Sequence, residues 1–309
     1  MMTAFILALA GGFGLTIYAS RGAVSHARLL AEGTAIPPFI IGVTLFAVGT
    51  DLPEIANSII ASLAGHGDLN VGDSVGSATT QVTLVLGLLP LVVGAFVVGS
   101  ERIARPGIVT VVALLAGAYL FSDGDITRID AALLISMWIA GSLIIWHGLP
   151  EAPEPVMRIR PRRSVEHALI TVVMLVGVTI GASVVVWALI GIADAFSVPE
   201  YTIAFVVAAI GTSLPEFAVG LTALRAGTRD LAIGDVIGSS FADSTLSIGS
   251  GPLIAPTLIT ASLAVKGSLI AAAVVLAVVL LLSWRRHHTR VTGAACIALW
   301  LVAYIVLTA

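Results

Sequence analysis

Charged, sulfur-containing and aromatic side chains are all scarce in this chain of 309 residues. Charged residues make up 11% of it and hydrophobic residues 58%, whereas a soluble domain is about 25% charged. So little charge cannot cover the surface of a soluble particle of this size, which excludes a cytosolic enzyme. The 15 basic and 18 acidic residues nearly cancel, so there is no basic surface for nucleic acid. The single cysteine, Cys296, excludes an internal disulfide and a cysteine-rich metal site.

Long apolar runs are abundant instead, and the mean hydropathy is +1.07. A membrane-spanning helix needs roughly 20 mostly apolar residues. A window of that length finds ten candidate spans, at residues 3–20, 36–65, 71–98, 104–121, 129–147, 166–192, 198–224, 231–254, 260–283 and 291–308. The first run has Arg21 after it and no basic residue before it, so we expect a retained helix and not a cleaved signal. The chain is therefore predicted to be an all-α, multi-pass protein of the cell (inner or plasma) membrane.

The basic residues predict how these spans are oriented. Thirteen of the 15 lie in the connections after spans 1, 3, 5, 7 and 9, and only Arg128 and Lys266 lie in the others. Because cytoplasmic loops carry the excess of basic residues, both termini are predicted to lie outside the cell. The longest connection, 148–165, is rich in proline and arginine. We expect it to be a cytoplasmic linker between two five-span halves, 1–147 and 166–309.

The two halves contain a repeated segment. A shift of 162 positions aligns residues 49–81 with residues 211–243 without a gap, and 15 of the 33 positions are identical. With flanking residues, the repeats run from about 42–91 and from about 204–253. They begin in spans 2 and 7, which enter the membrane from opposite sides, so the copies are predicted to be inverted. Inverted repeats around a site near the bilayer midplane are typical of secondary transporters.

The repeats place four acidic residues deep in predicted spans. Asp51 and Glu54 lie in span 2, Glu216 in span 7 and Asp243 in span 8. A charged residue at such depth costs at least ~2.5 kcal/mol on insertion scales and usually faces a cavity or pathway. No lysine, arginine or histidine lies deep in a span to neutralise these acids. Metal cations or protons are therefore expected to do so.

A proline precedes each repeated glutamate. Pro53 and Pro215 have no N–H, so the carbonyls of Gly49 and Gly211 lose their helical partners, and we expect local unwinding there. Freed carbonyls at membrane depth are tolerated when they are buried in protein or line a polar cavity. Together with carboxylates and hydroxyls they form an all-oxygen ligand set. Calcium and sodium prefer such a set.

Other polar and small residues near the spans have structural explanations. Asp73 and Asp235 lie at predicted span starts, where we interpret them as helix N-caps. Four glycines are expected to permit close helix packing, at positions 72, 76, 234 and 238. Histidines in or beside connections are given no functional role, namely His66, His147, His167, His287 and His288.

The motif pairs GTDLPE with GDSVGSATTQ and GTSLPE with GDVIGSSFAD resemble the two alpha repeats of the sodium/calcium exchanger family, within the cation/calcium antiporters. The resemblance implies that Glu54 and Glu216 are the principal calcium ligands and also bind sodium. It implies that Asp243 lies beside the calcium site. It further implies carbonyl ligands at Ala47, Thr50, Ala209 and Thr212, and hydroxyl ligands at Ser77, Ser213 and Ser239.

Two positions depart from the family pattern. Asp51 stands where the first repeat usually has serine, and Gln81 stands where that repeat usually ends in asparagine. Asp51 adds a potential negative charge to the sodium position nearer the cytoplasm. It is either protonated, because crowded carboxylates cannot all ionise, or it strengthens cation binding; both interpretations stay open. Gln81 brings a longer amide into the centre of the site.

The leading hypothesis is a secondary antiporter that moves calcium out of the cytoplasm against sodium entry, by alternating access around spans 2, 3, 7 and 8. Spans 1 and 6 are expected to slide across that core. Calcium and sodium are then cargo, membrane lipid surrounds the chain, and no prosthetic group or obligate protein partner is expected. The alternative within this class is a calcium/proton antiporter with Asp51 as the proton carrier.

Two other classes of protein are considered. An intramembrane hydrolase would use Asp51 and Asp243 as a general acid/base pair, but neither aspartate lies in a GxGD motif and the repeated glutamates would have no function. A calcium sensor would bind the cation without transporting it. A pump driven by ATP is disfavoured because the chain has no GxxxxGK[ST] sequence.

Overall fold

The chain folds almost entirely into helices. The computed structural model describes residues 2–34, 36–147, 161–195, 211, 213–285 and 287–308. The helices are α1 (Met2–Gly33), α2 (Pro38–Thr50), α3 (Leu52–Leu63), α4 (Gly67–Val93), α5 (Ser100–Asp123), α6 (Arg128–His147), α7 (Pro161–Ala195), α8 (Leu214–Arg225), α9 (residues 229–254), α10 (Ala261–Arg285) and α11 (Arg290–Thr308).

Seven of the described helices are long and apolar enough to cross a membrane: α1, α4, α5, α6, α7, α10 and α11. The bent pair of α2 and α3 brings the number to eight if it is counted as one span. Predicted span 8 is helical as α9, which carries more polar residues and is not one of the seven. Most of predicted span 7 lies outside the described residues. The protein is therefore a multi-pass membrane protein.

Helix α2 and helix α3 meet at an angle of 45°. Asp51 lies at the break, and Pro53 occupies the first turn of α3. Proline cannot donate to the carbonyl of Gly49, and Thr179 of α7 donates to that oxygen at 3.2 Å. The unwinding predicted from Pro53 is therefore confirmed. The carbonyl that Pro53 leaves without a backbone donor therefore accepts its hydrogen bond from a neighbouring helix.

The helices on either side of the linker recur with the spacing of the sequence repeat. The bounds of α3 and α8 differ by 162 positions at both ends. The same offset relates Gly67–Thr80 to Arg229–Ala242 and the π-helical segment Gln81–Val85 to Asp243–Ser247. Helices α5 and α6 are then matched in order by α10 and α11. The structural repeat thus extends well beyond the aligned sequence motifs.

Two short pairs of antiparallel strands connect the halves. Strand β1 (Phe96–Val97) pairs with β4 (His287–His288), and β2 (Asp125–Ile126) pairs with β3 (Thr257–Leu258). Each pair takes one strand from before the linker and one from after it. The loops of the two halves are therefore hydrogen-bonded to each other. These strands are a small addition to the predicted all-α fold.

Small residues allow several helices to approach within backbone contact. A Cβ atom added to Gly12 of α1 would lie 2.8 Å from the carbonyl oxygen of Gly181 of α7. A Cβ atom on Gly42 of α2 would lie 2.9 Å from the Cα of Gly234 of α9. In membranes such close packing replaces the hydrophobic driving force between helices. The packing role predicted for Gly234 is therefore confirmed. The absence of a side chain at Gly234 allows α2 to pack directly against α9.

Candidate cation site

Three carboxylates meet where the chain breaks between α2 and α3. One oxygen each from Asp51, Glu54 and Glu216 lies within 4.8 Å of the other two, and all three side chains are completely buried. The sequence Leu-Pro-Glu begins both α3 and α8, so each glutamate lies in a first turn. The free N–H groups of a first turn and the positive end of the helix dipole stabilise negative charge. The N-termini of α3 and α8 therefore both stabilise negative charge on this one cluster of carboxylate oxygens.

These carboxylates have few hydrogen bonds. Among the described residues, no donor with suitable geometry faces either oxygen of Asp51, either oxygen of Glu216 or Oε2 of Glu54. The Oε1 atom of Glu54 accepts a long hydrogen bond of 3.5 Å from Ser77. Buried polar atoms are normally hydrogen-bonded. The cluster is thus a set of oxygens available to a ligand.

No basic side chain in the described part of the chain forms an ion pair with the cluster. The ion pairs there join Arg28 to Glu32 and Arg102 to Asp230. At 4.8 Å and an effective dielectric constant of 20, two ionised carboxylates repel by about 3.5 kcal/mol. Three such pairs cannot persist without compensation. A bound cation or a proton must supply it.

A second polar group lies between α2 and α9. The hydroxyl oxygen of Thr50 is 3.1 Å from that of Ser239 and 3.4 Å from Oδ1 of Asp235. All three side chains are buried, and Oδ2 of Asp235 has no hydrogen-bond partner. Helix α9 begins at Arg229, so Asp235 lies well inside it and the N-cap interpretation is wrong. The predicted span 8 begins at residue 231, close to Asp235, so the interpretation of Asp235 as a cap near that start kept it out of the candidate ligands.

Asp73 is not an N-cap either. Helix α4 begins at Gly67, and Asp73 lies in its second turn. Asn57 of α3 donates to Oδ2 of Asp73 at 2.7 Å. This hydrogen bond joins α3 to α4 beside the carboxylate cluster. Asp73, which we expected to cap a helix, therefore forms a contact between two helices that carry candidate ligands.

Residues at equivalent repeat positions touch each other at the centre of the protein. Gln81 donates from Nε2 to Oδ2 of Asp243 at 3.0 Å, and both side chains are fully buried. Ser240 donates to the carbonyl of its counterpart Ala78 at 2.9 Å. Both pairs are separated by 162 positions, the offset of the repeat. The longer amide of Gln81 thus binds the central aspartate directly.

The remaining predicted site residues are divided between described and undescribed regions. The carbonyl of Ala47 accepts hydrogen bonds from the backbone N–H of Asp51 at 3.0 Å and from the hydroxyl of Thr50 at 3.3 Å. The hydroxyl of Ser213 is buried and has no partner. Two predicted carbonyl ligands, Ala209 and Thr212, lie outside the described residues.

Buried carboxylates at a broken helix of a multi-pass fold are typical of one class of protein, the secondary transporters of membranes. The family model described as sodium/calcium exchanger protein matches residues 4–146 and 166–309. The chain belongs to the sodium/calcium exchanger family. Membership supports cation/calcium antiport, and this family consists of transporters. The hydrolase considered from the sequence gains no support from it.

Relatives and solved structures agree with this assignment. The chain is 31% identical to inner membrane protein YrbG of Escherichia coli (strain K12), over 79% of this chain and 78% of that protein. It is 24% identical to sodium/calcium exchanger MaX1 of Methanosarcina acetivorans, over 83% and 85%. A structure of the sodium-calcium exchanger NCX_Mj soaked with sodium and no calcium is similar with a TM-score of 0.82, at 25% identity and 99% coverage of both chains. A structure of NCX_Mj soaked with sodium and strontium has a TM-score of 0.80, at 27% identity and the same coverage.

Proposed function

We propose that the protein exchanges cytoplasmic calcium for external sodium, with both ions competing for one buried site. The observation that carries this proposal is the cluster of Asp51, Glu54 and Glu216 oxygens within 4.8 Å of one another. A calcium ion takes about six to eight oxygen ligands, and its double charge offsets two carboxylates at once. Sodium ions must replace it in greater number to supply the same charge. Competition for shared oxygens then couples the two fluxes.

The candidate ligands divide into three groups. Glu54 and Glu216 are the principal calcium ligands, since each begins a helix whose N-terminus favours negative charge. Asp243 and Gln81 form the centre of the site, and Asp51 adds the third carboxylate. The other oxygens come from side chains and carbonyls of the two repeats, at Ala47, Thr50, Ser77, Ala209, Thr212, Ser213 and Ser239.

The proposed architecture is ten membrane helices, arranged as two inverted five-helix repeats with both termini outside the cell. The halves are 1–147 and 166–309, joined by a cytoplasmic linker at 148–165. The recurrence of helix bounds at an offset of 162 positions supports this arrangement. The contact between Gln81 and Asp243 also supports it, because equivalent residues meet at the axis that relates two such repeats.

Alternating access requires part of the protein to move past the site. We assign this motion to α1 and α7, by analogy with other repeat transporters. Their shared surface includes the close approach of Gly12 and Gly181. Few polar bonds join this pair to the site: Thr179 donates to the carbonyl of Gly49, and the hydroxyls of Ser20 and Thr222 lie 3.0 Å apart. Such contacts can be exchanged during a sliding motion.

Calcium uptake into proteoliposomes tests the proposal. Vesicles loaded with sodium and diluted into sodium-free buffer should take up calcium, and vesicles without the gradient should not. Glu54→Gln and Glu216→Gln should abolish uptake. Asp130→Asn is the matched control, because Asp130 accepts hydrogen bonds from Thr127 at the start of α6, away from the site. Calcium binding without any flux would identify a sensor and reject transport.

Calcium/proton exchange is the second candidate, and one observation favours it. Both oxygens of Asp51 lie beside two glutamates and have no hydrogen-bond partner within the described ranges, which is a suitable position for a carboxyl group that binds and releases a proton. In that case a proton gradient should drive calcium uptake and a sodium gradient should not. Asp51→Ser should then make uptake depend on sodium. An unchanged ion dependence in this variant would rule out Asp51 as the proton carrier.

A further inference from the structure

A cavity of about 600 Å³ lies between α1, α7 and α8. Its walls include Phe13 and Ile17 of α1, Val185 of α7 and Leu221 of α8. None of the three carboxylates of the cation site lines it. Phe13 is 42% exposed and Ile17 is 48% exposed, so this side of α1 is not covered by the described part of the chain. The three carboxylates themselves are not part of its walls, although Leu214 and Phe217, which flank Glu216 in the sequence, are.

Arginines line the opposite end of the same cavity. Arg21 and Arg28 come from α1, and Arg225 comes from the last turn of α8. Arg28 is paired with Glu32 at 2.7 Å. Arg21 and Arg225 form no ion pair with any described residue. Two unpaired guanidinium groups repel a cation and favour a phosphate, which they bind in a planar, bidentate geometry.

The distance between the apolar and basic ends matches one leaflet of a bilayer. Phe13 and Arg21 both line the cavity and are separated by eight residues of continuous helix, or about 12 Å at ~1.5 Å per residue. Half of the hydrocarbon core is about 15 Å thick, and the headgroup layer lies beyond it. An occupant with an acyl chain and a phosphate headgroup therefore fits both ends at once.

We propose that an anionic phospholipid occupies this cavity, with its phosphate on Arg21 and Arg225 and an acyl chain along Phe13 and Ile17. The lipid contacts α1 and α8 beside the hydrogen bond between Ser20 and Thr222, and so bridges the two helices. In the proposed topology its headgroup lies in the cytoplasmic leaflet. The lipid site itself does not depend on which ions the protein exchanges.

Native mass spectrometry of the full chain in mild detergent tests this proposal without a transport assay. Phosphatidylglycerol should bind in preference to phosphatidylcholine. The double variant Arg21→Gln/Arg225→Gln should bind it about tenfold less, because two charge-assisted contacts are lost. The matched control is Arg285→Gln/Arg290→Gln, which removes two exposed arginines at another connection and should bind it as the wild type does. Equal binding by both double variants would overturn the proposal.

Two further measurements separate lipid from free phosphate and from misfolding. Ala218→Trp fills the cavity while keeping all three arginines, and it should also reduce phosphatidylglycerol binding. Undiminished binding in this variant would contradict a seated acyl chain. Millimolar inorganic phosphate should not displace the lipid, and displacement would identify a phosphate site instead. The melting temperatures of all variants in detergent should match that of the wild type, so that weaker binding reports the lost arginine contacts. If the single variants Arg21→Gln and Arg225→Gln melt and bind phosphatidylglycerol as the wild type does, the proposal is overturned.

Discussion

Replacement of Asp51 by asparagine provides the sharpest test of the carboxylate cluster. The substitution keeps the size of the side chain and removes one negative charge. Asp51 lies within 4.8 Å of both Glu54 and Glu216 and has no hydrogen-bond partner of its own. The wild-type protein without cations is therefore expected to be destabilised by this residue. The same residue should help to stabilise the protein once calcium is bound.

The size of the effect follows from the geometry. Two ionised carboxylates whose oxygens are no more than 4.8 Å apart repel by at least about 3.5 kcal/mol at an effective dielectric constant of 20, so full ionisation of the cluster gives Asp51 about 7 kcal/mol of repulsion through its two neighbours. Protonation of one carboxyl group lowers this figure, since crowded acids do not all ionise. Asp51→Asn should therefore melt at a higher temperature than the wild type in cation-free buffer. Its gain in melting temperature on adding calcium should be smaller.

Thermal unfolding in detergent measures both quantities, first with chelator and choline and then with saturating calcium. Asp130→Asn is the matched control, because Asp130 is an acid that accepts a hydrogen bond from Thr127 at the start of α6, away from the cluster. An asparagine there can still accept that hydrogen bond, so its calcium response should equal that of the wild type. An unchanged calcium response in Asp51→Asn would refute the assignment of Asp51 to the cation site.

Three further substitutions test the surrounding structure. Gly234→Ala should lower stability by about 1–3 kcal/mol, because its Cβ would collide with α2, whereas the control Gly220→Ala, with its nearest atom at 3.5 Å, should not lower the melting temperature. Thr179→Val should cost about 1–3 kcal/mol by leaving the carbonyl of Gly49 without its donor, and Thr179→Ser should restore stability. Burial lowers the pKa of His288 from its ordinary ~6.5, so the folded state resists protonation and stability should fall as the pH drops through about 6.5 and below. His288→Gln should melt with a weaker dependence on pH between 5 and 8, and an unchanged dependence would contradict this account.

The repeat made much of the site predictable from the sequence. Glu54 and Glu216 occur in matched motifs deep in apolar spans, where an unpaired acid requires a cation or a proton. The structure brings both together with Asp51, which local helix periodicity alone could not have predicted across a break. Pro53 likewise predicted the break itself. Composition, periodicity and proline chemistry thus predict where a helix breaks and which side chains are buried.

Contacts between distant segments were not predictable in the same way. Thr179 satisfies the carbonyl of Gly49 from a helix 130 positions away, and no local pattern indicates such a pairing. His167 was given no role, yet its Nδ1 lies 3.0 Å from that of His26 and joins α7 to α1. His288 is fully buried and its ring contacts the carbonyl of Leu86 at 2.8 Å. Strands of two residues are too short to leave an alternating pattern.

The two strand pairs link some of the helices to each other and leave other helices unlinked. Each pair fastens a loop of one half to a loop of the other, so the helices flanking β1, β2, β3 and β4 form a braced frame. In the described part of the chain, helices α1 and α7 are not among the helices that these strands flank. Displacing them therefore breaks none of the ladder hydrogen bonds. Helices α3 and α8, whose first turns carry Glu54 and Glu216, are likewise not flanked by these strands, so among the described helices the strand pairs brace α4, α5, α6, α9, α10 and α11 only.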